Sequence, residues 1–221
     1  MDGLAFRQNG RRRKFAADLF DPADFAHHVI GSQNLLDMMK FILENEKPTR
    51  KVGVIIRFGV CTCILTKITP IHLATCIGFT GVVETLAKKY GSPIVETFKG
   101  KTTIHLAATY GHLDIVKFLS GFTHTPNAPD IEGCTPIHSA ALNGHLEVVK
   151  FLTEFTDNPN APDKWGWTPI HNAVHEDHLD VLKFLVKYTD LPKFLANNNG
   201  KALLDLAKSS DVVDLLKETK I

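Results

Sequence analysis

A four-residue word, Thr-Pro-Ile-His or a near relative, recurs at equal spacing at Thr69, Thr102, Thr135 and Thr168. A fixed period of roughly 33 residues marks a stack of supersecondary units, none of which can cover its own apolar face alone, so neighbours must supply the core. A degenerate copy, Ala202-Leu203-Leu204-Asp205, follows Thr168 at nearly the same interval, and Leu206-Ala207 completes it as Leu73-Ala74 completes the first. Units therefore start near residues 64, 97, 130, 163 and 197. The last reads as a cap, because Asp205, Lys208, Asp211, Asp214 and Lys217 mix charge into its helices while Val212, Val213, Leu215 and Leu216 keep an apolar stripe.

Local rules rebuild one unit. At Thr135-Pro136 the hydroxyl caps free backbone N–H groups, and Pro at the first helical position loses nothing because that N–H has no partner. Ile137, Ala140 and Ala141 give this short helix a small apolar face suited to close stacking. Gly144 stops it, and Leu146, Val148, Val149, Phe151 and Leu152 place large apolar side chains at helical spacing on a second helix. The stretch Asp157-Asn158-Pro159-Asn160-Ala161-Pro162-Asp163, with Gly166 beyond it, is turn chemistry and forms a projecting finger between units. Gly111 to Leu119 matches Gly144 to Leu152 nearly letter for letter, and Asp177 to Leu185 follows with Asp177 in the glycine place.

Upstream the register breaks. Asp37-Met38-Met39-Lys40-Phe41-Ile42 resembles Asp114 to Leu119, so a second-helix segment precedes the first full motif. Lys117 stands as far before Thr135 as Lys150 does before Thr168, yet the interval from Lys40 to Thr69 is longer by more than half. The expected organisation is a basic tail over 1–20, a degenerate N-terminal repeat with an irregular apolar insertion over 21–68, and repeats over 69–221. The β-branched run Lys51 to Lys67 reads as a long β-hairpin, as an insertion that binds a partner, or as a stretch that never packs because it is an unusual splice or gene-model product.

Lys and Arg total 25 against 24 Asp and Glu, so no global field draws the chain to nucleic acid or membrane. Cys61, Cys63, Cys76 and Cys134 have neither metal-type spacing nor a paired framework, as expected of thiols in a reducing compartment. No signal peptide is expected, since Arg7, Arg11, Arg12, Arg13 and Lys14 break up the first apolar residues. The longest apolar run, Val52 to Leu65, is interrupted by Arg57 and is shorter than the roughly 20 residues of a bilayer span. The expectation is an intracellular protein of the cytoplasm, the nucleus or both.

Catalytic chemistry finds little support. Seven of the 11 histidines fall in two periodic series, 72, 105, 138, 171 and 112, 145, 178, so repetition accounts for them without a metal. His175-Glu176-Asp177-His178 has one residue too few between Glu and the second His for the zinc-protease pattern. Cys76 and Cys134 lack an implied His–acid partner outside the repeat, and Gly31, Gly53 and Gly59 are too widely separated for a phosphate loop. No cofactor, no metal, no small-molecule substrate and no enzymatic activity are expected.

From residue 64 onward the chain resembles the ankyrin-repeat family, on Thr69-Pro70-Ile71-His72-Leu73-Ala74, Thr135-Pro136-Ile137-His138, Thr168-Pro169-Ile170-His171 and the Gly-His-Leu-Asp/Glu helices. The resemblance implies an all-α solenoid of stacked helix-turn-helix units with projecting finger loops, whose motif histidines His72, His105, His138 and His171 tie neighbouring loops together. Departures at Lys67, in the place of Gly100, Gly133 and Gly166, and at Asp177 imply weaker turns in the first and fourth full copies. Thr103 also replaces the motif proline.

Members of that family bind proteins through finger tips and the concave face. Carried over by position, the implied contact residues are Phe98, Lys99, Lys101, Thr109 and Tyr110; Ile131, Glu132, Cys134, Leu142 and Asn143; and Lys164, Trp165, Trp167, His175 and Glu176. Trp165 and Trp167, flanking Gly166 in a turn, stand out on their own account, since Trp is enriched among interface hot spots; the competing reading packs one of them onto a neighbouring finger. The expected function is a monomeric, non-catalytic scaffold or adaptor for a protein partner. The alternatives are a regulatory or targeting subunit of an enzyme system, or attachment to nucleic acid or membrane through residues 11–14 and 51–67.

Overall fold

The capped Thr-x-x-His word starts a helix wherever the structure describes it whole. The computed structural model describes residues 5–8, 11–14, 52–58, 61–68, 70–91, 93–96, 100–188 and 196–218. Thr102, Thr135 and Thr168 each take extended backbone, and their hydroxyls accept the backbone N–H of His105, His138 and His171 at 3.4, 3.5 and 3.5 Å. The imidazoles reciprocate: each Nδ1 accepts the threonine backbone N–H at 3.1, 3.1 and 3.2 Å. This is a capping box in which histidine fills the place usually held by Glu or Gln.

The chain divides into two units, Met1–Phe98 and Lys99–Ile221. In the first, strands β1 (Ala5–Gln8), β2 (Arg11–Lys14), β3 (Val52–Phe58) and β4 (Cys61–Ile68) form a sheet in the order β2-β1-β3-β4. All pairs are antiparallel, and β3 meets β4 from Val52 opposite Ile68 to Phe58 opposite Cys61, with a register shift between Val52 and Val54. Of the three readings of the 51–67 stretch, the strand pairing matches the hairpin. Arg11–Lys14, expected in a tail, form an edge strand, and Lys67 lies within β4 instead of in a turn. These strands precede the repeats, which are helical. Helices α1 (Pro70–Ile77) and α2 (Thr80–Tyr90) complete this unit. The second-helix segment expected at 37–42 lies outside the described residues.

The second unit holds α3 (Thr103–Thr109), α4 (Leu113–Ser120), α5 (Pro136–Leu142), α6 (Leu146–Thr153), α7 (Pro169–His175), α8 (Leu179–Leu185), α9 (Leu203–Leu206) and α10 (Ser210–Glu218). First helices pack on first helices and second on second along the row, so the core recurs with the sequence. Ile104, Ile137, Ile170 and Leu203 repeat one buried position, and Leu119, Leu152 and Leu185 repeat another. Each such side chain contributes roughly 1.5–3 kcal/mol by leaving water, which is why the units hold together only as neighbours.

Two residues at the turn between paired helices show why glycine is needed there. Gly111 and Gly144 both have φ of 74°, and a Cβ on either would stand 2.5 or 2.7 Å from the imidazole of the next unit, His145 or His178. Those rings in turn donate Nε2–H to the carbonyls of Thr109 and Leu142, each at 3.1 Å. Asp177 takes the same left-handed conformation at φ 64°, and His178 N–H reaches the Ala173 carbonyl at 2.8 Å as His145 N–H reaches Ala140 at 2.9 Å. The turn expected to be weak thus keeps its hydrogen bond.

Candidate protein-binding face

Fingers are closed at their base by one acidic or amide side chain. Asp130 Oδ1 accepts the N–H groups of Glu132 and Cys134 at 2.8 and 3.0 Å, and Asp163 Oδ1 accepts those of Trp165 and Trp167, both at 2.8 Å. Asn197 Oδ1 does the same for Asn199 and Lys201 at 3.0 and 3.1 Å. Adjacent fingers are then stitched together: Lys164 N–H donates to the Glu132 carbonyl at 3.0 Å, and Asn198 N–H to the Trp165 carbonyl at 2.9 Å.

Below the fingers the motif histidines lock each unit to the next. His105 Nε2–H donates to the Cys134 carbonyl at 3.0 Å and His138 Nε2–H to the Trp167 carbonyl at 3.1 Å; in the first unit His72 does the same to Val95 at 3.0 Å. Because a carbonyl faces Nε2 of His105 and His138, that nitrogen carries the proton and Nδ1 is left as the acceptor in the capping box. Burial holds His105 down at about 4, against the pull of the Cys134 carbonyl and of Asp130. Burial also lowers His138 and, on the second-helix side, His145. These histidines are therefore neutral structural ties at neutral pH.

Cys134 donates its thiol to Asp163 Oδ2 at 3.6 Å. Burial, then the carboxylates of Asp130 and Asp163, push it up to about 12, so it stays a thiol and is no nucleophile at physiological pH. Among the described residues no group of three or more His, Cys, Asp or Glu is placed to hold a metal ion.

The positions implied for contact fall into distinct settings. Ile131 at one finger tip is 55% exposed and Trp165 on the next is 48% exposed, with the exposed Lys164 and half-buried Glu132 joined through the ladder bond between them. At the ends of the first helices Leu142 and Asn143 are exposed, the Asn143 amide donating to the Ser139 carbonyl at 2.9 Å. Thr109, Tyr110 and Lys101 are half-buried; the Thr109 hydroxyl is turned back to His105, and Tyr110 stacks on His112. His175 and Glu176 are bonded to one another at 2.6 Å. Phe98 and Lys99 lie outside the described residues.

The two tryptophans separate. Trp165 projects from the tip, whereas Trp167, half-buried at the finger base, packs its ring against His171 and His175 with centroids 5.8 and 5.6 Å away. Alternation along extended chain puts residues 165 and 167 in the same sense, and only the tie of the Trp167 carbonyl to His138 distinguishes the base from the tip.

Sequence reading missed two sets. Asp130, Asp163 and Asn197 organise the fingers, and their recurrence just ahead of each turn glycine was the available signal. Phe118, Phe151 and Phe184 were read into the apolar face of the second helices, yet they are only half-buried and pair with Phe122, Phe155 and Tyr188.

Helical hairpins stacked first on first and second on second, with laddered fingers on one side, define a repeat protein whose broad face carries no reactive cluster among the described residues. The family model for ankyrin repeats matches residues 26–130, 91–163, 120–194 and 156–221, and the chain belongs to the ankyrin-repeat family. Ankyrin repeats generally mediate protein–protein interactions and are typically non-catalytic. A comparison with curated proteins gave no match. Among the described residues no helix is long and apolar enough to cross a membrane.

Proposed function

We propose that this chain is an intracellular scaffold or adaptor without catalysis of its own, gripping a partner protein through its finger tips and the ends of its first helices. The observation that carries this reading is the exposure of three large apolar side chains, Ile131, Leu142 and Trp165, at family contact positions on adjoining units. Their backbones are tied down by the Asp163 turn, the finger ladder and the His178 bond, so little ordering cost attends binding. Trp165 is the anchor, Ile131 and Leu142 flank it, and Trp167 is the platform that holds His175 in place.

Affinity enrichment of the full chain, followed by calorimetry with the recovered partner, tests the reading. Trp165→Ala is expected to weaken binding by about 2 kcal/mol, more than tenfold, with helical content and melting unchanged. Trp167→Ala is expected to lower stability as well. Undiminished affinity in the Trp165 variant would remove the finger face from the account.

A further inference from the structure

The second helices of the C-terminal unit carry an aromatic row that no role in folding the unit accounts for. On α4, α6 and the continuation of α8, rings one helical turn apart pair off: Phe118 with Phe122, Phe151 with Phe155, and Phe184 with Tyr188, at centroid distances of 5.1, 5.1 and 5.0 Å. The outer member of each pair is between 43 and 51% exposed, while the inward stripe of the same helices is already filled by Ile115, Val116 and Leu119 and their equivalents. The pairs recur with the repeat period on helices that pack side by side. Packed helices lie about 8–10 Å apart, so the row spans roughly 20 Å.

We infer that this row is a docking surface for a second copy of this chain, forming a reversible two-fold dimer centred on Phe155. Three features favour a copy of itself over another occupant. The row has an odd number of pairs, so a two-fold axis at the central Phe151–Phe155 pair sets the Phe118–Phe122 pair of one protomer against the Phe184–Tyr188 pair of the other, ring facing ring, as an isologous contact requires. The charges alongside balance: the exposed acids Asp114, Glu147 and Asp180 are matched in number by the exposed lysines Lys117, Lys150 and Lys183. Such a face offers an acidic or basic partner no net attraction and a second copy no net repulsion. Finally, the half-exposed outer rings present about 300 Å² of aromatic surface, at roughly 200 Å² for a whole side chain. That is the apolar centre of an interface of about 800 Å² per partner, with the acid and lysine rows as its rim.

The dimer is expected to be weak, with a dissociation constant on the order of micromolar, and it replaces the monomer expected from sequence. Sedimentation velocity of the full chain across a concentration series tests it. The parent protein is expected to shift from monomer to dimer as concentration rises, and Phe155→Lys, which sets two cations face to face at the axis, is expected to weaken the shift at least 100-fold. Circular dichroism and melting of that variant check that it folds. As a second variant, Phe155→Cys is expected to form a disulfide to its own counterpart under mild oxidation, located by peptide mass spectrometry, more readily than Phe122→Cys, whose counterpart lies across the row. A parent protein that stays monomeric at all concentrations, an unchanged dimer in folded Phe155→Lys, or equal cross-linking at 122 and 155 overturns the inference. Partner binding at the finger face is read separately and is indifferent to all three outcomes.

Discussion

Acid should loosen this fold well before its carboxylates protonate, and His105 is where the effect can be worked out. Its ring is fully buried, its Nε2–H is committed to the Cys134 carbonyl and its Nδ1 to the Thr102 N–H, so the folded state has no room for a second ring proton. Burial lowers the group from 6.5 to about 4, with Asp130 pulling it up and Lys101 and His138 pushing it down. A depressed histidine binds fewer protons folded than unfolded between those values, so stability is complete above about 6.5, falls with pH through that window, and falls no further from this source below about 4. One tenfold change in a binding constant is worth close to 1.4 kcal/mol, giving about 3 kcal/mol for the whole window and about 2 kcal/mol by pH 5. His138 and His145, also lowered by burial, act in the same direction. Equilibrium urea unfolding at pH 7.5 and pH 5.0 measures the loss. His105→Gln keeps a capping-box acceptor and removes the titration, so it should start less stable but lose about 2 kcal/mol less on acidification than the parent. Equal losses in parent and variant would refute the argument.

Two further substitutions probe the turns. Gly144→Ala combines the cost of a left-handed alanine with a methyl group 2.7 Å from the His178 ring, and is expected to destabilise by about 2–3 kcal/mol in urea unfolding; adding His178→Ala should recover only the steric part, leaving about 1 kcal/mol. Asp163→Asn should be nearly neutral in thermal melting, because Asn197 performs the same two-bond closure one finger later, whereas Asp163→Ala strands the Trp165 and Trp167 N–H groups and should cost about 2 kcal/mol.

Much of this architecture was legible because each unit solves the same local problem with the same letters. Thr135, Pro136, Gly144 and the turn residues before Gly166 act through neighbours a few positions away, so their meaning survives without tertiary information. The aromatic positions did not yield in that way. Phe151 has helical spacing with Val148 and Leu152 and reads as core, but on the helix circumference Val148, Val149 and Leu152 already fill the arc facing the stack and Phe151 lies past its edge. Which of Trp165 and Trp167 would be exposed was equally hidden, since it depends on the His138 bond from the unit before and on the imidazoles of α7 below. Histidine as the reciprocal member of the capping box was missed because the usual signature names Glu or Gln at that place.

The exception at Asp177 shows how the repeats constrain one another. Gly111 and Gly144 are confined both by a left-handed backbone and by the ring that the following unit lays over them, His145 in one case and His178 in the other. The cap that follows Asp177 has no histidine in its second helix; Ser209 occupies that region and donates its hydroxyl to Asp177 Oδ1. Once the ring is gone only the backbone demand remains, and among residues with a side chain Asp and Asn meet a left-handed conformation with least strain. Asp177 is thus permitted by the cap's composition, and the hydroxyl contact restores part of what the missing imidazole bond supplied between units. Placing histidine at position 209 should make Asp177 intolerable in turn, which is the sense in which one unit's sequence is written for the next.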